Sequence, residues 1–316
     1  MSIGPRRARS TGWERGRGWG WIWGEADEVG ALNAMTEEAI LEAVSEVSCG
    51  RVFDLGLPVD RRSFASPFHP GTVVTRYRTP EGLRREDGFE RGGVGFNTSL
   101  IVICDHVGTH LDGLSHAVFG VDDHFYNGFT VGENTGDFGL AKASIATMPP
   151  IVLKAVLLDV AGRVGVDYLG AGFAITAELL AETLESQGCK LVPGEAVFVR
   201  TGSLRFWGEG GHDHAAIAAA DTAGLTLGAA RWLVEERGAI LIGSDTSTVE
   251  VTPPVDGDNM SPVHKYLLVD QGVCMGELHY LEELAEASIH RFCYFALPPK
   301  IRGVTGTCAL RPVALV

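Results

Sequence analysis

Four short runs of almost uninterrupted apolar residues constrain this chain most: SLIVICD (99–105), AVLLDV (155–160), AVFVR (196–200) and AILIGSD (239–245). Each has the length of a strand, and none alternates apolar with polar, the pattern of strands covered on both faces. Between the later runs, Thr176 opens TAELLAETLESQ, which stops at Gly188, and LTLGAARWLVEER (225–237) stops at Gly238. Both read as amphipathic helices with ordinary start and stop signals. A further helix, HYLEELAEA, precedes the run FCYFALPP near the end of the chain. Strands alternating with helices predict an α/β fold. The first half is less regular. RVFDLGLPV (51–59) reads as a strand, and Met35 to Ser48 as a helix that starts at Thr36 and turns Ile40, Ala43, Val44 and Val47 to one side. Residues 61–95, rich in Pro, Gly, Arg and Asp, read as a long irregular excursion of the kind that is usually functional. That irregular half argues against a simple doubly wound sheet.

The 316 residues suffice for a large core, with 45% hydrophobic and 21% charged side chains. The net charge of −14 argues against nucleic acid or an anionic membrane as partner, since both select clustered Lys and Arg, and leaves a small molecule as the expected substrate. No apolar run reaches the roughly 18 residues of a membrane span. Residues 1–22 are basic, lack a signal-peptide core and read as a mobile arm, so one domain is expected over 23–316. The six cysteines (Cys49, Cys104, Cys189, Cys274, Cys293, Cys308) show no CxxC spacing, which fits reduced thiols and a cytoplasmic location.

The chemistry concentrates in DHVGTHLDGLSH, residues 105–116, where three imidazoles and two carboxylates follow a hydrophobic run. Histidine is a preferred ligand of zinc, manganese and iron, and a carboxylate completes or bridges such a site. His110 and Asp112 are two apart and face one side of an extended segment, while Gly108 allows a bend that returns His106 to the same point. A continuous helix would send Asp112 to another face.

The segment from His106 through Gly108, Thr109, His110 and Asp112 to His116 resembles the HxGTHxDxPxH signature of the cyclase and kynurenine formamidase-like superfamily, with Leu114 where many members carry Pro. WGEADEVGALN (23–33), PGEAVFVRTG (193–202), the stretch 224–250 and the stretch 263–285 are similar to further segments of its longer, isatin hydrolase-like members. The resemblance implies a swivelling β/β/α-type domain with a mixed sheet core and flanking helices, active as a homodimer or homotetramer. It implies one or two divalent cations, Mn2+ or Zn2+, per subunit. His106, His110 and Asp112 would ligate the principal ion, and His116, His264 and Glu277 would help to hold a second. His116 and Glu277 carry the expected catalytic roles, His116 as the proton donor in one-metal members. The implied reaction is hydrolysis of an amide, a cyclic amide or imide, or a lactone. A cyclase or dehydratase acting on a polyketide-like intermediate is the alternative on the same scaffold, and a non-catalytic ligand-binding homologue is the alternative from another class.

Outside the motif, Trp19, Trp21 and Trp23 stand close together, and Trp23 is a candidate wall of the substrate pocket. His212 and His214 in GEGGHDHAA suit substrate contact from a loop. Asp245 ends the run 239–245 and Glu250 follows it, where α/β folds place functional groups or the braces of a turn. His69, His124, Arg76 and Arg78 read as rim or solvated loop positions. Neither GxxxxGK[ST] nor GxSxG occurs, so a phosphate loop or serine nucleophile has no anchor.

Overall fold

Runs that are apolar on both faces have to be covered twice, and three of the four form the middle of one sheet. The computed structural model describes residues 12–19, 23–63, 69–85, 95–207, 217, 221–257 and 259–316. Among them an eight-stranded sheet is built from β1 (Val52–Asp54), β2 (His110–Asp112), β3 (Ile151–Asp159), β4 (Ala196–Arg200), β5 (Leu241–Ser244), β6 (Cys274–Glu277), β7 (Arg291–Ala296) and β8 (Val313–Leu315). The order across the sheet is β1-β8-β7-β3-β4-β5-β6-β2. The centre, β3 to β6, is parallel, with Ala155 opposite Ala196, Ala196 opposite Leu241 and Leu241 opposite Cys274. The remaining neighbours are antiparallel, so the sheet is mixed. Leu157, Leu158, Val197, Phe198, Leu241 and Ile242 are buried, as continuous apolar strands between helical layers must be.

The helices begin where the caps stand. Thr36 accepts a hydrogen bond from the Ala39 amide and opens Glu37–Val44, which packs on β3. Thr176 does the same for Ala177–Ser186, and Thr226 for Leu227–Arg231, whose course continues to Glu236. Pro262 starts a helix that runs through His264 to Gln271 and delivers the chain to β6. The α/β class, with a mixed sheet and flanking helices, is the observed one.

Several expectations are corrected. The run 99–105 is not a buried strand of the sheet. Thr98–Val102 pairs antiparallel with Val73–Arg78 in a two-stranded ribbon whose residues are all exposed, Ile101 at 59% and Tyr77 at 69%. Apolar composition states that a strand seeks cover, not that its own chain supplies it. The excursion 61–95 is correspondingly less irregular than expected, since it holds one strand of this ribbon and the helix Pro80–Arg85. The strand expected over 51–59 is only Val52–Asp54 at the sheet edge, and the helix expected over 35–48 stops at Val44, which is exposed. Residues 12–19, placed in the mobile arm by their composition, are docked: the Trp13 indole donates to Val234 O, and buried Trp19 donates to Ala239 O. Residues 1–11 and 20–22 lie outside the described residues.

Candidate metal centre

Strand β2 lies at the sheet edge beside β6, and their register decides the site. Asp112 is opposite Met275 and His110 is opposite Glu277. Two residues of one strand separated by one position, and a directly opposed residue of the next, share a face. His110, Asp112 and Glu277 therefore converge through backbone pairing alone. Ahead of β2, Gly108 adopts φ +63°, and a Cβ there would stand 2.6 Å from Val59 Cγ2. Both demands select glycine, and the bend it makes returns His106 to the strand face. Thr109 fixes the bend, accepting from the Leu57 amide at 2.9 Å and donating to Leu278 O at 2.7 Å.

Asp112 Oδ1 lies 3.2 Å from His106 Nε2 and 3.4 Å from His110 Nε2. His110 Nε2 is also 3.3 Å from Glu277 Oε2. His264, from the helix before β6, places Nε2 3.5 Å from Glu277 Oε1 and 3.8 Å from Asp112 Oδ2. The His116 ring stands 4.1 Å from that of His106 and 6.1 Å from that of His264, between centroids. The six sequence-derived ligands thus come together. Two overlapping groups, His106–Asp112–His116 and His110–Asp112–Glu277, each hold their ligand atoms within 4.8 Å of one another, with Asp112 common to both.

Burial makes this arrangement informative. His106 Nε2, His110 Nε2 and both oxygens of Asp112 are buried and make no hydrogen bond, although they face one another. Leaving four such atoms unsatisfied costs on the order of 1–3 kcal/mol each. A divalent cation held between them would satisfy all four with donors that suit zinc or manganese, so the residues present fit a metal.

The outer nitrogens point the same way. His106 Nδ1–H donates to Asp105 Oδ1 at 2.8 Å, and Asp105 Oδ2 accepts from the Thr305 and Gly306 amides, each at 3.1 Å. His110 Nδ1–H donates to the Gly108 carbonyl at 2.8 Å. His264 Nδ1 is paired with Glu250 Oε1, while Glu250 Oε2 accepts from the Val263 amide at 3.0 Å. Outer partners of this kind orient a ligating imidazole and fix its tautomer, so that Nε2 faces the site.

The electrostatics are those of a pocket with excess negative charge. Burial lowers the His106 pKa, but the neighbouring carboxylates of Asp105 and Asp112 outweigh that and hold it at about 10. For His110, burial is likewise overcome by Asp112 and Glu277, and for His264 by Glu250 and Glu277, so both lie well above the ordinary imidazole value. His116 differs: burial pushes it down to about 4 despite the pull of Asp112, and at neutral pH it is uncharged.

Other sequence-derived residues go elsewhere. Trp23, expected to wall the substrate pocket, stacks on Trp19 with centroids 6.3 Å apart and lines a separate cavity of about 490 Å³ with Asn33, Leu153 and Val192. That cavity lies where β3 and β4 begin, whereas the candidate ligands gather where β6 ends. The Trp19 bonds to Gln271 and Ala239, which precede β6 and β5, hold the aromatic segment at that end. His212, His214 and Trp21 lie outside the described residues. Asp245 is a brace: its carboxylate accepts from the Thr201 and Gly202 amides at 2.8 and 2.7 Å. His124 pairs with Asp122, and Arg76 donates to Asn97. Asp105, Thr109 and the orienting role of Glu250 were missed. The Asp-His dipeptide was the available signal for Asp105; Glu250 gave none, since only the fold brings it to His264. His69, assigned to the rim, places its ring 5.3 Å from that of His106.

A family model named Cyclase matches residues 53–251. Among solved structures, one described as a novel cyclase is similar at 27% identity with a TM-score of 0.80, covering 93% of this chain and 96% of that one. Isatin hydrolase A from Ralstonia solanacearum shares the fold at 21% identity and a TM-score of 0.61, over 84% and 92% of the two chains. An isatin hydrolase bound to the product analogue thioisatinate does so at 19% identity and a TM-score of 0.60, over 89% and 99%. No curated protein matches.

Proposed function

Because this chain belongs to the Cyclase family, we propose that it is a metal-dependent hydrolase that opens an amide, a cyclic amide or imide, or a lactone. The observation that carries the proposal is the set of four buried, unbonded polar atoms on His106, His110 and Asp112. These three residues would hold the principal cation, manganese or zinc, and His116, His264 and Glu277 would add ligands for a second. Once bound, the cation supplies Lewis acidity toward a carbonyl oxygen and lowers the pKa of water to about 7.

The chain's own groups supply the rest. Asp105, Glu250 and the Gly108 carbonyl keep three imidazoles aimed at one point. Glu277 lies between His110 and His264 and balances cationic charge beside them. His116, neutral and adjoining the His106 ring, is placed to accept a proton from the attacking water and then pass it to the nitrogen or oxygen that leaves. The likeness to isatin hydrolases, named for a cyclic amide, supports that bond class. The test is metal analysis of the purified protein followed by a screen of amides, imides and lactones before and after exhaustive chelation. Turnover that survives removal of all metal refutes the proposal.

The likeness to the structure described as a cyclase favours a second reading, ring closure or dehydration with the cation as Lewis acid. Oxygen-labelled water separates the two, because only hydrolysis places solvent oxygen in the product. We also propose a homodimer or homotetramer, since the exposed ribbon presents Val73, Val74, Leu100, Ile101 and Val102 to solvent and a lone two-stranded ribbon is marginal in water. Light scattering that finds only monomer at micromolar concentration overturns this part. No helix among the described residues is long and apolar enough to cross a membrane. The cysteines are all unpaired, which supports a reducing, cytoplasmic setting.

A further inference from the structure

The ribbon closes a further ligand group that shares only His106 with the proposed hydrolytic centre. Val73 pairs with Val102 at its base, so His69, four residues before one strand, and Cys104, two residues after the other, are brought together. Cys104 is also two positions before His106. A ring nitrogen of each histidine and the Cys104 sulfur all lie within 4.8 Å of one another. His69 Nδ1 is buried and makes no hydrogen bond, and its ring is tilted 34° over that of His106. The Cys104 thiol is in no disulfide and donates only a long bond, 3.6 Å, to Asp105 Oδ1.

We propose that His69, Cys104 and His106 form a second cation site, selective for thiophilic divalent ions such as zinc and cadmium, that competes with the principal centre for His106. The donor set supplies the selectivity. One thiolate with two imidazoles suits zinc and cadmium, whereas manganese and magnesium favour oxygen. Around tetrahedral zinc, sulfur and nitrogen ligands stand about 3.5 Å apart, so these side chains close by roughly 1 Å on binding. As the sulfur–metal bond forms, the thiol proton passes to solvent and the Cys104–Asp105 hydrogen bond is lost. A buried nitrogen of His69 gains its missing partner. Drawn toward this group, His106 leaves Asp112, and the principal centre loses one of its ligands. Excess zinc or cadmium is thereby an inhibitor of the manganese-loaded protein.

The experiment uses the full chain, stripped of metal and titrated with cadmium chloride while the thiolate-to-cadmium charge-transfer band is followed in the ultraviolet. Wild type is expected to show a saturable band. Cys104→Ser loses that band, and His69→Ala requires about tenfold more cadmium to reach half-saturation. A band undiminished in Cys104→Ser, or a His69→Ala titration identical to wild type, overturns the proposal. Manganese binding, followed by electron paramagnetic resonance, reports on the principal centre and is expected to be retained in Cys104→Ser, which also shows that the variant folds. Failure of wild type to bind either manganese or zinc at the principal centre would count against the metal-dependent hydrolase, whereas the cadmium band of Cys104 tests this site by itself.

Discussion

Glu250 touches none of the atoms that face the cation, yet it sets the tautomer and direction of His264. Glu250→Gln keeps the size and removes the charge, and metal affinity is expected to fall about 10–100-fold, read by calorimetric titration. A pH dependence follows from His106. Its folded pKa, about 10 without metal, lies above the ordinary value, so at neutral pH the empty centre carries a proton that ligation must expel. Affinity should therefore rise with pH across the neutral range, and metal loading should release protons. Calorimetry in two buffers of different ionisation enthalpy measures that release, and a value of zero contradicts the assignment. His116 titrates at about 4 and contributes nothing to this effect at neutral pH. Its removal in His116→Ala is expected to lower turnover about 10²–10⁴-fold while the principal ion stays bound. A variant with full turnover and full metal content would remove its proton-transfer role.

At the level of elements, the loop after β4 depends on one side chain from the end of β5. Asp245→Ala would leave the Thr201 and Gly202 amides without their acceptor in a buried setting. A loss of about 3 kcal/mol is expected in chemical denaturation, and a change under about 0.5 kcal/mol, typical of unconstrained surface positions, would show that the brace carries nothing. The same scale shows what the sequence could disclose. β3, β4 and β5 were legible because strands covered on both faces leave an unbroken apolar record. The run 99–105 leaves the same record and became half of an exposed ribbon, because apolarity specifies burial without naming the surface that provides it. The motif 105–116 was legible since its ligands are local. Its meeting with Glu277 and His264 depends on the β2–β6 register and on a helix far along the chain, which no local spacing encodes; those two were reached through family resemblance. Trp23 illustrates a related point: an aromatic side chain announces packing and gives no address.

For the whole molecule, the proposed cation is a ligand for which only the folded chain assembles a site, since the candidate holders span positions 106 to 277. Manganese or zinc at about 100 times its dissociation constant is expected to stabilise the fold by ~2.7 kcal/mol. Calorimetric melting should show the transition rising with added metal and returning on chelation; an unchanged transition would mean that the ligands do not form a binding site. The acidic surface, with its net charge of −14, makes association with a cation more favourable at low ionic strength.

The place of β2 in the sheet gives this linkage another consequence. It is a buried three-residue strand at the end of the sheet, paired with β6 on one side and covered on the other by residues 305–307, which bridge to Asp112 at Gly306. Sliding β2 by a single residue would turn His110 and Asp112 to the opposite side and away from Glu277. An ion gripped by residues of both strands would forbid that slip, acting as a rivet between β2 and β6. Without the rivet, this short pairing is freer to open locally and to expose the apolar strands behind it. The chelated protein should accordingly aggregate sooner than the loaded one at temperatures well below unfolding, and the rivet would then serve solubility as much as chemistry.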